Sequence, residues 1–141
     1  MSTSSFCCNP AVTAIRPGQR VVIPSFISCG RCWHCGRHEF SLCDNTNPNG
    51  HLQEPVLGYP TAGIYGYTHA FGGYAGSHAD YIRVPHADVG CFAIPDDVSD
   101  EDALFLSDAG PTGFMGADFC AIRPGDVVAV SDLIAFDTQG N

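Results

Sequence analysis

Lysine is missing altogether: the 6 Lys+Arg are all arginine, set against 15 Asp+Glu, for a formal net charge of −9 over 141 residues. Recognition of nucleic acid or of an anionic membrane surface calls for clustered basic side chains, so this balance argues against both partners. Long hydrophobic runs are missing too. No stretch approaches the ~20 apolar residues that a membrane-spanning helix requires. Met1 to Asn9 has neither the basic start nor the apolar centre of a secretory leader, which predicts a reducing, cytoplasmic setting. In place of long helical periodicity the chain carries 16 glycines and 10 prolines, a composition suited to short strands joined by many turns. At this length one domain can bury about two-thirds of its unfolded surface.

Cysteine is the residue in surplus, with 8 in the chain. Four of them, Cys29, Cys32, Cys35 and Cys43, form a C-x2-C-x2-C-x7-C pattern. Two-residue gaps let neighbouring thiolates turn toward one centre, with glycines 30 and 36 expected to relieve the tight turns. Four thiolates with no open position describe a structural zinc site. Two other chemistries compete for the same cysteines. An iron–sulfur cluster favours the first three spacings, but the bacterial ferredoxin pattern closes with x3-C-P, whereas Cys43 comes after seven residues and is followed by Asp44. Disulfides need an oxidising compartment that nothing here announces. His34 and His38 lie inside the loop and read as exposed residues rather than ligands. Cys91 and Cys120 sit in apolar surroundings and are expected to be small core residues.

Along the rest of the chain, Arg16-Pro17-Gly18-Gln19 predicts a type II turn feeding a buried strand at Val21 to Ile23. The same device returns at Arg123-Pro124-Gly125, leading into the apolar run Val127 to Val130. Residues 44 to 50 read as irregular. The aromatic, glycine-dotted stretch from His51 to Gly73 is a long loop that either faces a substrate or packs its rings on its own domain. Strands are expected within Gly76 to Pro85 and at Phe92 to Ile94. Ser99, followed by Asp100, Glu101 and Asp102, predicts a capped helix start, with Leu104, Phe105 and Leu106 turned inward. Ser107 to Gly113 breaks that helix, and Pro111 opens a second one. On its position alone, Asp108 is a helix-end aspartate.

Four stretches resemble the zinc-containing alcohol dehydrogenases of the medium-chain dehydrogenase/reductase superfamily, in the branch that includes glutathione-independent formaldehyde dehydrogenase. They are the cysteine lobe from Cys29; Gly72-Gly73-Tyr74-Ala75 running into Ala79 to Pro85; Leu104 to Asp108 with Pro111-Thr112-Gly113; and Arg123 to Val130. Together they cover roughly residues 11 to 130. The resemblance implies a mainly β fold with short helices: an incomplete GroES-like catalytic domain over residues 11 to 107, carrying the structural zinc lobe, and then a linking helix and the first strand of a truncated Rossmann domain over 108 to 130. Residues 1 to 10 and 131 to 141 match nothing in that pattern.

The resemblance also implies hydride transfer from small alcohols or aldehyde hydrates to a nicotinamide cofactor (NAD in most such enzymes) at a second, catalytic zinc. It assigns Asp108 as one ligand of that zinc and Thr112 to the nicotinamide pocket. Oligomers are common in the family. The Gly-His-Glu segment that completes the family's catalytic zinc site, and the Gly-x-Gly-x-x-Gly turn that cradles the cofactor's pyrophosphate, do not occur in these residues. The isolated chain is therefore expected to be inactive, whether as a piece of a dehydrogenase, a degenerate gene product or a zinc-stabilised interaction module.

Overall fold

A computed structural model describes residues 9–129; Cys7, Cys8, Val130 and the tail from 131 to 141 lie outside them. The first turn forms as its residues dictate. Gly18 takes φ +81°, which glycine adopts without steric cost, and the Gln19 N–H donates to the Arg16 carbonyl at 3.0 Å. The Gln19 side chain closes the turn from the other side, its Oε1 accepting the Arg16 N–H at 3.0 Å. The chain leaves the turn as β1, Val21–Val22, which stops one residue short of the expected Ile23. Pro24 follows, and a residue before proline has neither a free choice of backbone conformation nor a donor beyond it.

After β2, Phe26–Ile27, the cysteine segment supplies α1, Trp33–Gly36, and a 3-10 turn at Phe40–Leu42. Residues 51 to 73 are not a bare loop. They contain α2, Glu54–Leu57, β3, Gly63–Ile64, and a 3-10 turn at His69–Phe71. Their rings pack edge-on against one another, Tyr65 on Tyr74 and Tyr67 on Phe71, which favours packing on the chain's own domain over a substrate-facing loop. Next come α3, Ala87–Gly90, β4, Phe92–Ala93, α4, Asp100–Ala103, and α5, Ala109–Phe119.

Two antiparallel ladders organise these pieces. β1 pairs with β4, Val21 opposite Ala93 and Val22 opposite Phe92. β2 pairs with β3, Phe26 opposite Ile64 and Ile27 opposite Gly63. The second ladder fixes the base of the cysteine lobe, because Ile27, Ser28 and Cys29 run buried out of it. Gly63 is required there: a Cβ would stand 2.6 Å from both the Thr46 carbonyl oxygen and the Tyr74 ring.

Ser99 caps α4 as expected, accepting the Asp102 N–H at 3.1 Å, and α5 begins with Pro111 in its first turn. Four other expectations are corrected. Gly76 to Pro85 forms no strand, and Tyr81 stands exposed. Leu104, Phe105 and Leu106 are exposed; only Ala103 of that helix is buried. Val127 and Val128 are also exposed, and the described part of that run joins no sheet. Cys120 is exposed and Cys91 only half-buried, so neither is a core residue.

Candidate metal centre

The cysteine lobe closes on itself through turns that its sequence makes available. Cys32 caps α1 with its sulfur, which accepts the Cys35 N–H at 3.5 Å. Gly30 takes φ +73°, and a Cβ there would meet the Val89 side chain at 2.6 Å. Gly36 is different: its surroundings are open and its φ is ordinary, so it relieves no crowding. The left-handed residue after α1 is His38, at φ +63°.

These turns bring Cys29, Cys32, Cys35 and Cys43 together, with all four sulfurs within 4.8 Å of one another. Cys29 Sγ lies 4.0 Å from Cys35 Sγ, and Cys32 Sγ lies 3.9 Å from Cys43 Sγ. The two pairs share no member, so they are opposite edges of the figure. An ion bound tetrahedrally at about 2.3 Å per sulfur separates its sulfurs by about 3.8 Å. A disulfide needs about 2.05 Å, and the four thiols are free. Cys29, Cys35 and Cys43 are buried and Cys32 is half-buried, so the centre is closed.

Donors surround the sulfurs. The Cys29 N–H points at Cys43 Sγ at 3.3 Å, the Arg31 N–H at Cys29 Sγ at 3.5 Å, and the Asn45 amide at Cys29 Sγ at 3.3 Å. Burial works against charge on Cys29, but the Arg31 N–H and the Asn45 amide outweigh it and bring the thiol down to about 6. Cys32 is also held below the ordinary thiol value, the Cys35 N–H being foremost among the donors that overcome its burial. At Cys35 burial wins, reinforced by the neighbouring Cys32 sulfur, and the thiol rises to about 12. The cage thus accepts negative charge at some sulfurs and resists it at another, a balance that a divalent cation at its centre would relieve.

Neither histidine of the lobe is needed as a ligand. His34 Nδ1 lies 2.9 Å from Glu39 Oε2, and its ring packs edge-on against Trp33, over which the Arg37 guanidinium sits at 4.6 Å. His34 and then Arg37 hold the Glu39 carboxyl below the usual carboxylate range. His38 is exposed.

Asp108 and Thr112 come together at the start of α5. Asp108 is exposed at the start of α5, and its Oδ1 accepts the Thr112 hydroxyl at 2.9 Å. Among the described residues, the cysteine quartet is the one group of three or more His, Cys, Asp or Glu side chains spaced to hold an ion. Reasoning from sequence missed Asn45. Its proximity to Cys43 was the only signal, and residues 44 to 50 read as irregular. They prove to be the hub on which the lobe rests. The Thr46 hydroxyl donates to the Ile27 carbonyl at 2.7 Å and accepts the Gly63 N–H at 3.1 Å, while the Tyr74 hydroxyl donates to the Thr46 carbonyl at 2.6 Å. The Asn47 amide donates to the carbonyls of Thr61 and Ala70 at 3.1 and 3.0 Å.

Comparison with known proteins places this geometry in context. The family described as the alcohol dehydrogenase GroES-like domain matches residues 7–96. A zinc-type alcohol dehydrogenase-like protein of Schizosaccharomyces pombe is 39% identical over 119 residues, covering 84% of this chain and 28% of the relative. A glutathione-independent formaldehyde dehydrogenase of Bacillus subtilis is 33% identical over 127 residues, covering 85% of this chain and 28% of the relative. Among solved structures, the alcohol dehydrogenase TADH from Thermus sp. ATN1 superposes with a TM-score of 0.64 at 34% identity, over 79% of this chain and 28% of that one. The chain therefore spans less than a third of the length of these relatives.

Proposed function

The chain belongs to the alcohol dehydrogenase GroES-like domain family, and from that premise we propose that residues 29–43 bind one structural zinc through Cys29, Cys32, Cys35 and Cys43. We propose further that the chain serves as the zinc-lobe portion of a dehydrogenase acting on small alcohols or aldehydes with a nicotinamide cofactor. The observation that carries the metal assignment is the pair of opposite sulfur edges at 4.0 and 3.9 Å, close to the separation that a single tetrahedral ion imposes. Sulfurs that near one another leave room for one ion and none for a cluster of several irons. Four sulfur ligands and a buried centre leave no position for substrate, so the ion would tie the lobe together rather than take part in a reaction. The dehydrogenase reading is supported by the family and by the names of the relatives.

The described residues do not by themselves fit a catalytic zinc or a nicotinamide. Among the described residues Asp108 belongs to no group of three or more His, Cys, Asp or Glu side chains spaced to hold an ion, and its carboxylate is engaged by Thr112. For these 141 residues in isolation, a non-catalytic, zinc-stabilised module is the second reading. It is favoured by the exposed apolar side chains of Leu104, Phe105, Phe114 and Phe119, which suit a surface that another polypeptide covers.

X-ray absorption at the zinc edge of the zinc-loaded protein tests the metal assignment. Four sulfurs at about 2.3 Å are expected. A shell containing nitrogen or oxygen would contradict the quartet. An assay of nicotinamide-dependent oxidation of simple primary alcohols, with Cys29→Ala as the control, tests whether the isolated chain lacks activity, as both readings require. No turnover above the control is expected.

A further inference from the structure

Among the described residues, one side chain from outside the quartet donates to its sulfurs: the Asn45 amide, 3.3 Å from Cys29 Sγ. The other donors aimed at these sulfurs are backbone N–H groups, those of Cys29, Arg31 and Cys35 among them. Those follow from the turns that make the lobe and cannot be varied without rebuilding it. Asn45 is a free choice of side chain. Its backbone is already fixed on both sides, by Cys43 of the quartet two residues before it and by the doubly bonded Thr46 hydroxyl immediately after it. Among the described residues the amide makes no other hydrogen bond.

We propose that Asn45 is a positioning residue of the metal centre, whose N–H···S bond orients the Cys29 sulfur, draws electron density from it and slows release of the bound ion. This rests on the quartet being a metal site. A donor to a thiolate sulfur lowers the energy of the sulfur lone pair, which weakens its attraction for protons and electrophiles while keeping it aimed at the metal. Outer-shell partners of this kind usually change metal affinity by about 10–100-fold when removed.

The test uses the full chain loaded with cobalt(II) in place of zinc, because the sulfur-to-cobalt charge-transfer band reports the sulfur lone pair directly. Asn45→Ala, and the isosteric Asn45→Asp, which replaces the donor with an acceptor, are compared with Thr46→Val, which breaks the neighbouring loop bonds and leaves the amide in place. The proposal expects the band to move to longer wavelength in both Asn45 variants, with transfer of metal to a chelator faster by roughly tenfold. Thr46→Val is expected to lower thermal stability while leaving the band in place. If the wild-type protein takes up no cobalt, the metal-site reading itself fails and takes this inference with it. If the wild type loads but the Asn45 variants match it in band position and transfer rate, the inference alone is overturned. A band shift in Thr46→Val as large as that in Asn45→Ala would also overturn it, by tracing the effect to the loop.

Discussion

The Thr112 hydroxyl donates to Asp108 Oδ1 at 2.9 Å, and the Thr112 N–H donates to the Asp108 carbonyl at 2.9 Å, so the two residues clasp the first turn of α5 between them. Both residues are exposed. The resemblance assigns them a zinc ligand and a cofactor contact, yet in this chain their visible work is helix initiation.

Removing that clasp should therefore cost helix and nothing else. Thr112→Val is expected to destabilise α5 by about 1 kcal/mol or less, the net worth of an exposed hydrogen bond. Circular dichroism should show a small loss of helix with zinc content unchanged. A drop in bound zinc in this variant would place Asp108 and Thr112 at a metal after all.

The quartet should behave as a unit. Cys43→Ala removes a buried thiol of the proposed site and the acceptor for the Cys29 N–H, so its affinity for zinc should fall by more than the roughly 100-fold typical of an outer-shell change. Competition with a chromophoric chelator measures this. Since binding a structural ion contributes directly to folding, the same variant should unfold at lower denaturant than the wild type.

Gly63 sits where a side chain cannot. Gly63→Ala pushes a Cβ to 2.6 Å from the Thr46 carbonyl and the Tyr74 ring, at the foot of the metal lobe. Overpacking of this kind costs about 1–3 kcal/mol. Gly36→Ala meets open space at an ordinary φ and should be neutral or slightly stabilising. Chemical denaturation of the two variants side by side distinguishes a local clash from a general intolerance of the lobe.

Acid should loosen the start of the described chain first. Asp88 accepts the N–H groups of Ala14 and Thr13, both at 2.8 Å, and these bonds hold its carboxyl below the usual range. A lowered folded-state pKa means that its contribution is present above the unfolded value of about 3.9 and is lost as pH falls through the folded value. Asp88→Asn should lower stability at neutral pH to the level the wild type reaches in acid, and flatten the pH dependence below about pH 4. An unaltered acid limb would show that the contact carries no linkage.

Features set by neighbours in sequence were legible without a structure. The turn at Arg16 to Gln19 and its counterpart at Arg123 to Asp126 share even their side-chain clasp: Gln19 Oε1 and Asp126 Oδ2 each accept the N–H of the arginine three residues earlier. The Ser99 cap and the cysteine spacing were equally local. What escaped depends on partners far along the chain. Thr46 joins Ile27, Gly63 and Tyr74, residues 17 to 28 positions away, so nothing in Asn-Pro-Gly composition announces a hub. Gly76 to Pro85 carries strand-forming residues, but a strand exists only where another lies beside it. Leu104 to Leu106 has the composition of a buried helix face, yet all three side chains stand exposed.

Native mass spectrometry of the purified chain, read together with a count of reactive thiols, addresses the central claim most directly. One zinc per chain is expected, with the thiols of Cys29, Cys32, Cys35 and Cys43 unreactive until a chelator removes the ion. A folded chain that carries no metal and leaves those four thiols open to alkylation would contradict it.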